Sequence, residues 1–124
     1  MKQSKYDSKI EFEFAEELNR RQIKHQNHSK SLPGTPDFVF NEKKLVVFVH
    51  GCFWHRHSNC SLALNPRNNW RMWIDIFFNQ VKRDQSNYLK LEKLGWWVFI
   101  AWECEIQKNV QNVVDNVQAY LIKR

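Results

Sequence analysis

Nothing in this chain is apolar for long enough to cross a membrane. The apolar run Leu45–Val49 falls far short of the roughly 20 residues a spanning helix needs. The opening, Met1-Lys2-Gln3-Ser4-Lys5, is polar with no apolar segment behind it, so no secretory leader is expected. Cysteine is scarce and odd in number, Cys52, Cys60 and Cys104 being the only three. That excludes a simple disulfide framework and points to a reducing cytoplasm. Internal repeats, low-complexity tracts and linkers are also missing. With 124 residues there is room for one core, so a single domain over 1–124 is expected.

Against these absences, 43% hydrophobic residues supply a packed interior, and six Trp and nine Phe exceed what such a core needs. Some rings are therefore expected at a surface that stacks on a ligand. Formal net charge is +6, from 19 Lys+Arg against 13 Asp+Glu, and the pI is about 9.4. Cations displace counterions from phosphate and rings stack on bases, so a nucleic-acid partner fits. A generically basic protein would carry the same charge.

Periodicity gives the elements. Ile10, Phe14, Ala15 and Leu18 recur at helical spacing and predict a helix from about Asp7 to Arg21, capped by Asp7 or Ser8, with Phe12 off the stripe. Residues 26–34 read as a polar stretch that leads into the loop Ser31-Leu32-Pro33-Gly34-Thr35-Pro36. Asp37–Phe40 and Leu45–His50 predict an antiparallel hairpin around Asn41–Lys44. A long helix follows from about Trp70 to Leu94, burying Trp73, Phe77, Val81 and Leu89 and ended by Gly95. Trp96–Trp102 predicts a strand inside the sheet. A last helix from about Asn109 turns Val110, Val113, Val114, Val117 and Leu121 inward. The sum is an α/β sandwich, a small mixed sheet flanked by helices.

Cys52, His57 and Cys60 lie close together on the aperiodic stretch after Gly51, and Cys104 follows the third strand. Three thiols and an imidazole suit a structural Zn²⁺, although free cysteines can also serve as small hydrophobes. Asp37, after Thr35-Pro36 and beside a returning strand, resembles the start of a PD-(D/E)xK nuclease site, where carboxylates hold Mg²⁺. The usual second acid and lysine are missing from Phe48-Val49-His50-Gly51, and a plain loop-to-strand cap is the alternative. His50, His55 and His57 crowd within eight residues, and those not on zinc have suitable pKa values for proton transfer.

The stretches L-P-G-T-P-D-F-V-F, V-F-V-H-G-C-F-W-H, V-K-R-D and L-G-W-W-V-F-I-A-W-E-C, in this order from about Lys9 to Glu105, resemble the Vsr very-short-patch DNA mismatch endonuclease family. The resemblance implies a restriction-endonuclease-like core in which the backbone carbonyl of Val49 replaces the missing acid beside Mg²⁺. It implies Asp37 as the carboxylate ligand and His55 as general base or acid. Glu11 and His50 would hold waters at the metal, and Asp84 would orient a site histidine. Cys52, His57, Cys60 and Cys104 would bind structural zinc, and Phe53, Trp54 and Trp73 would wedge between base pairs beside a mismatch. The function implied is a Mg²⁺-dependent nick 5′ to the thymine of a T:G mismatch by a monomer, with mismatch-repair proteins as further partners. Two features depart from the family: there is no basic S-K-N-M-R-like stretch before the first helix, and His57-x-x-Cys60 is one residue longer than usual. A relative cutting matched sites would share this core. A non-catalytic zinc-stabilised DNA-binding module would not need Glu11, Asp37 and His55 together.

Overall fold

The structure, a computed structural model, describes residues 5–123. Helix α1 spans Lys5–Arg20. Ile10, Phe14 and Leu18, four residues apart, lie on one face and are buried. Phe12 points the other way and is exposed. The helix closes with Gln22 in the left-handed region and the Ile23 N–H on the Leu18 carbonyl at 2.9 Å, so its last carbonyls are satisfied. Asp7 and Ser8 do not cap it, because the helix already runs through them from Lys5. The polar opening at Met1–Ser4 lies outside the described residues.

Four strands form one sheet in the order β1-β2-β3-β4: β1 (Gln26–Asn27), β2 (Phe38–Phe40), β3 (Leu45–His50) and β4 (Trp97–Trp102). β1–β2 and β2–β3 are antiparallel, the latter with Phe38 opposite Val47, as the hairpin reading expects. The turn between β2 and β3 is a short 3-10 segment, Asn41–Lys43, closed by Lys44 in the left-handed region. β3 and β4 are parallel, with Val49 opposite Ala101 and His50 opposite Trp102. Their connection carries α2 (Trp70–Lys93), because parallel neighbours need a long crossover.

Side chains alternate across β3. Leu45, Val47 and Val49 join Phe14, Phe38 and Val114 in the core beneath α1 and α3 (Glu103–Lys123). Val46 and Phe48 pack with Val39 and Leu91 beneath α2. The sheet is thus covered on both faces, an α/β sandwich. Each fully buried Val, Leu, Ile or Phe contributes about 1.5–3 kcal/mol relative to exposure.

Four local expectations change. Residues 26–34 are not all loop: β1 pairs there, and main-chain ladder bonds need no apolar side chains. β4 is an edge strand among the described residues, with Trp97 exposed and only Ala101 fully buried; Phe99 and Ala101 pack on one face and Val98 and Ile100 on the other, so its apolar run reflects two packed faces rather than a central place in the sheet. On α2, Phe77, Gln80 and Leu91 are buried while Leu89 is exposed and Trp73 and Val81 are half-buried; the helix touches the sheet only along part of its length. Gly95, at φ 92°, ends α2 as expected, with the Trp96 N–H on the Leu91 carbonyl. α3 begins earlier than the valine stripe, at Glu103, and breaks at Asn109 (φ −167°, ψ 93°), whose side chain caps the Asn112 N–H at 3.0 Å. The extra turn sets Glu103 and Cys104 immediately behind β4.

Candidate catalytic and metal centre

The end of the sheet where β3 and β4 finish and β2 begins collects the chemistry. Asp37, immediately before β2, is buried, and its Oδ2 accepts the Val49 N–H at 2.7 Å. That bond fixes the carboxylate, with Oδ1 on the side toward His28. His28 Nε2 lies 3.8 Å from that Oδ1 and 2.5 Å from Glu11 Oε2 of α1. Glu11, His28 and Asp37 each offer a ligand atom within 4.8 Å of the others, which is a group able to hold a metal ion.

On the other side of β3, His55 Nδ1 meets Asp84 Oδ2 of α2 at 2.7 Å, and Gln80 donates to Asp84 Oδ1 at 2.9 Å. Asp84 therefore fixes the imidazole and makes Nε2 the nitrogen available to a substrate. His50 stacks on His55 with ring centroids 3.6 Å apart, and its Nε2 meets the Tyr88 hydroxyl at 2.7 Å. Burial pushes the Tyr88 phenol up, so it stays protonated and can donate.

Cys52, His57, Cys60 and Cys104 form a third group, also with ligand atoms within 4.8 Å of one another. His57 Nδ1 is 3.6 Å from Cys52 Sγ and 3.5 Å from Cys104 Sγ. Cys52 Sγ accepts the Cys104 N–H at 3.4 Å, and the buried Glu103 carboxylate accepts the Cys52 N–H at 3.0 Å. The His57 ring stacks on Trp102, centroids 4.0 Å apart. Burial pushes the Cys52 thiol up, so an ion that needs its thiolate must supply the compensating charge. The loop between β3 and α2 is further tied by Arg56, which donates to the carbonyls of Phe53, Ala63 and Leu64 and lies 3.9 Å from the centroid of Phe77. Phe53, Trp54 and Trp73 pack together, with centroids 5.6–5.8 Å apart, all half-buried.

Comparison with known proteins decides the family. The family model described as DNA mismatch endonuclease Vsr matches residues 1–61. DNA mismatch endonuclease Vsr of Escherichia coli (strain K12) is 39% identical over 101 residues, 82% of this chain and 64% of that protein. Type II nicking enzyme V.XorIIP of Xanthomonas oryzae pv. oryzae is 38% identical over 94 residues, 71% of this chain and 68% of its own length. The chain belongs to the Vsr family. A further relative, type II nicking enzyme V.NmeAIP of Neisseria meningitidis serogroup A, is 38% identical over 85 residues. The chain spans 60–68% of the length of these three relatives.

Within this Vsr chain the residues singled out from sequence fall into groups. Asp37 meets Val49 through that residue's N–H, and Glu11 reaches Asp37 through His28. His50 groups with His55 and Asp84, whereas the group containing Asp37 is completed by Glu11 and His28. The four zinc candidates gather, as do the three aromatics. Sequence reading missed His28, Tyr88, Gln80, Glu103 and Arg56. His28, Tyr88 and Glu103 act through partners distant in sequence, whereas Gln80 reaches Asp84 on the next helical turn and Arg56 ties carbonyls of its own loop.

Proposed function

We propose that this chain is a Mg²⁺-dependent endonuclease that nicks duplex DNA 5′ to the thymine of a T:G mismatch, working as one domain in the cytoplasm. The observation that carries the reading is Asp37, fixed by the Val49 amide beside Glu11, at the end of the sheet where Asp84 orients His55. The order hairpin, helix, parallel strand supports a restriction-endonuclease-like core, with Asp37 where its first acid belongs. Mg²⁺ held by Asp37 and the Val49 carbonyl, with Glu11 holding water on the ion, would neutralise charge developing on the scissile phosphate. His55, held through Nδ1 by Asp84, would use Nε2 to accept a proton from the attacking water or return one to the leaving oxygen. His50, braced by Tyr88 and stacked on His55, would hold metal-bound water.

The thiol group fits zinc. Tetrahedral Zn²⁺ with bonds of about 2.3 Å to sulfur and 2.0–2.1 Å to nitrogen sets S and N about 3.5 Å apart. The two Sγ–Nδ1 separations, 3.6 and 3.5 Å, match that spacing. Four protein ligands make the site structural: it would pin the loop bearing Phe53 and Trp54 so that, with Trp73, they can wedge at a distorted base step. Unstacking costs least at a mismatch, which favours mismatched DNA. Mismatch-repair proteins are the further partners this role calls for.

Relatives named type II nicking enzymes support a second reading, a Vsr-like restriction endonuclease that cuts matched sites. Both readings share one test. Asp37→Ala should abolish Mg²⁺-dependent cleavage while duplex affinity stays within a few-fold, since losing a carboxylate also lowers repulsion of phosphate. Near-parental cleavage by the pure variant would sink the metal assignment, and cleavage without a divalent ion would remove the Mg²⁺ requirement.

A further inference from the structure

We infer that His28 is a third, nitrogen ligand in the metal site of Asp37 and Glu11, and that it gives the site a preference for Mn²⁺ over Mg²⁺. The inference rests on Asp37 being the metal carboxylate. Three observations converge on His28. Strand β1 pairs Asn27 with Phe38, and the next residue is tied too: the His28 N–H donates to the Asp37 carbonyl at 3.2 Å. The main chain thus clamps His28 opposite Asp37. At this point His28 takes φ 47°, a left-handed conformation that L residues rarely adopt and that concentrates at functional sites.

The side chain then enters the carboxylate pair. Nε2 stands 2.5 Å from Glu11 Oε2 and 3.8 Å from Asp37 Oδ1, while Asp37 Oδ2 is held by Val49. Neighbouring ligands of an octahedral ion with bonds of 2.0–2.1 Å lie about 3 Å apart, and the ligand atoms of Glu11, His28 and Asp37, all within 4.8 Å of one another, are near enough to close on one ion. A surface histidine paired with Glu11 alone would account for the shorter contact. It would not account for Nε2 also facing Asp37 Oδ1 while Asp37 Oδ2 is held by the Val49 amide. Imidazole is a softer donor than water or carboxylate, so replacing one oxygen by Nε2 shifts selectivity from Mg²⁺ toward Mn²⁺ and later ions.

The test is pulsed EPR of one equivalent of Mn²⁺ added to the zinc-loaded full chain. Expected is nitrogen modulation from a coordinated imidazole that changes on ¹⁵N-histidine labelling, is lost in His28→Gln, and survives in the His50→Gln/His55→Gln double variant. His28→Gln should also raise the Mn²⁺ Kd by about tenfold or more and the Mg²⁺ Kd by much less. Should His28→Gln fail to fold, the double variant still decides, since persistent nitrogen modulation that needs Asp37 assigns the ligand to His28. Mn²⁺ bound in an Asp37-dependent way without that modulation overturns the role of His28 alone. Mn²⁺ binding indifferent to Asp37→Ala overturns the metal reading of Asp37 itself.

Discussion

Asp37 and Asp84 show how one residue type takes two tasks from its surroundings. Asp37 gives one oxygen to the Val49 amide and turns the other toward His28, while Asp84 spends its oxygens on His55 and Gln80. The first arrangement suits a cation and the second orients an imidazole. Trp54 illustrates the same dependence on context for a ring. It packs 5.8 Å from Trp73 and 5.6 Å from Phe53, yet remains half-buried, so it has both support and a face to offer. Trp54→Ala should weaken binding to a T:G duplex by roughly 1–3 kcal/mol, the range for base–aromatic stacking. Matched DNA, held mainly through phosphate, should be affected much less. Titration of both duplexes by fluorescence anisotropy reads this directly, and an unchanged preference for T:G in a folded variant would remove the wedge.

At the scale of elements, α1 is locked onto α3 by charge as well as by Phe14 and Val114. Buried Glu17 binds both Arg20 and Arg21, and Arg21 spans to Asp115 at 2.8 Å and Gln118 at 3.0 Å. The Arg20 hydrogen bond, opposed by burial and aided by Arg21, holds the Glu17 carboxyl below its usual range. A depressed folded value means this stabilisation is full above the unfolded carboxylate value of about 4.3 and is lost as pH falls through the folded one. Glu17→Gln should cost about 1–3 kcal/mol at pH 7. Melting of parent and variant between pH 7 and 3 should show their difference shrinking with acid, and a constant difference would contradict it. Strong local signals made much of this fold legible: the β3 valines, the stop at Gly95 and the α3 stripe all follow from periodicity or backbone freedom. β1 was not legible, because Gln26 and Asn27 pair through main chain and the Gln26 side chain accepts from Asn41, 15 residues away, with no apolar pattern to mark it. Nor was the early start of α3, since only Asn109 capping Asn112 separates its two segments. The site followed the same rule. Cys52, His57 and Cys60 are close in sequence and announce themselves, whereas Glu11, His28 and Asp37 meet only after α1, β1 and β2 have packed.

Across the whole molecule, three ligand groups and an aromatic cluster share one end of a sheet whose body is ordinary apolar core. The long loop between β3 and α2 has little core of its own and leans on Cys52, His57, Cys60, Cys104 and Arg56 for its shape. Cys104→Ala should therefore lower the melting temperature by on the order of 10 °C or more, and parental protein should carry one zinc per chain by elemental analysis. Zinc-free parental protein, or a variant that melts like it, would contradict a structural zinc. The +6 net charge suits a phosphate backbone without choosing a sequence, and in the proposed function the choice would fall to the rings. The most direct measurement is to incubate the protein with Mg²⁺ and end-labelled duplexes that differ only in one T:G or matched T:A pair, and to map the cut at nucleotide resolution. A single nick 5′ to the mismatched thymine, absent from the matched duplex and from the Mg²⁺-free control, is the predicted result. Equal cutting of the matched duplex, or none of either, would contradict it.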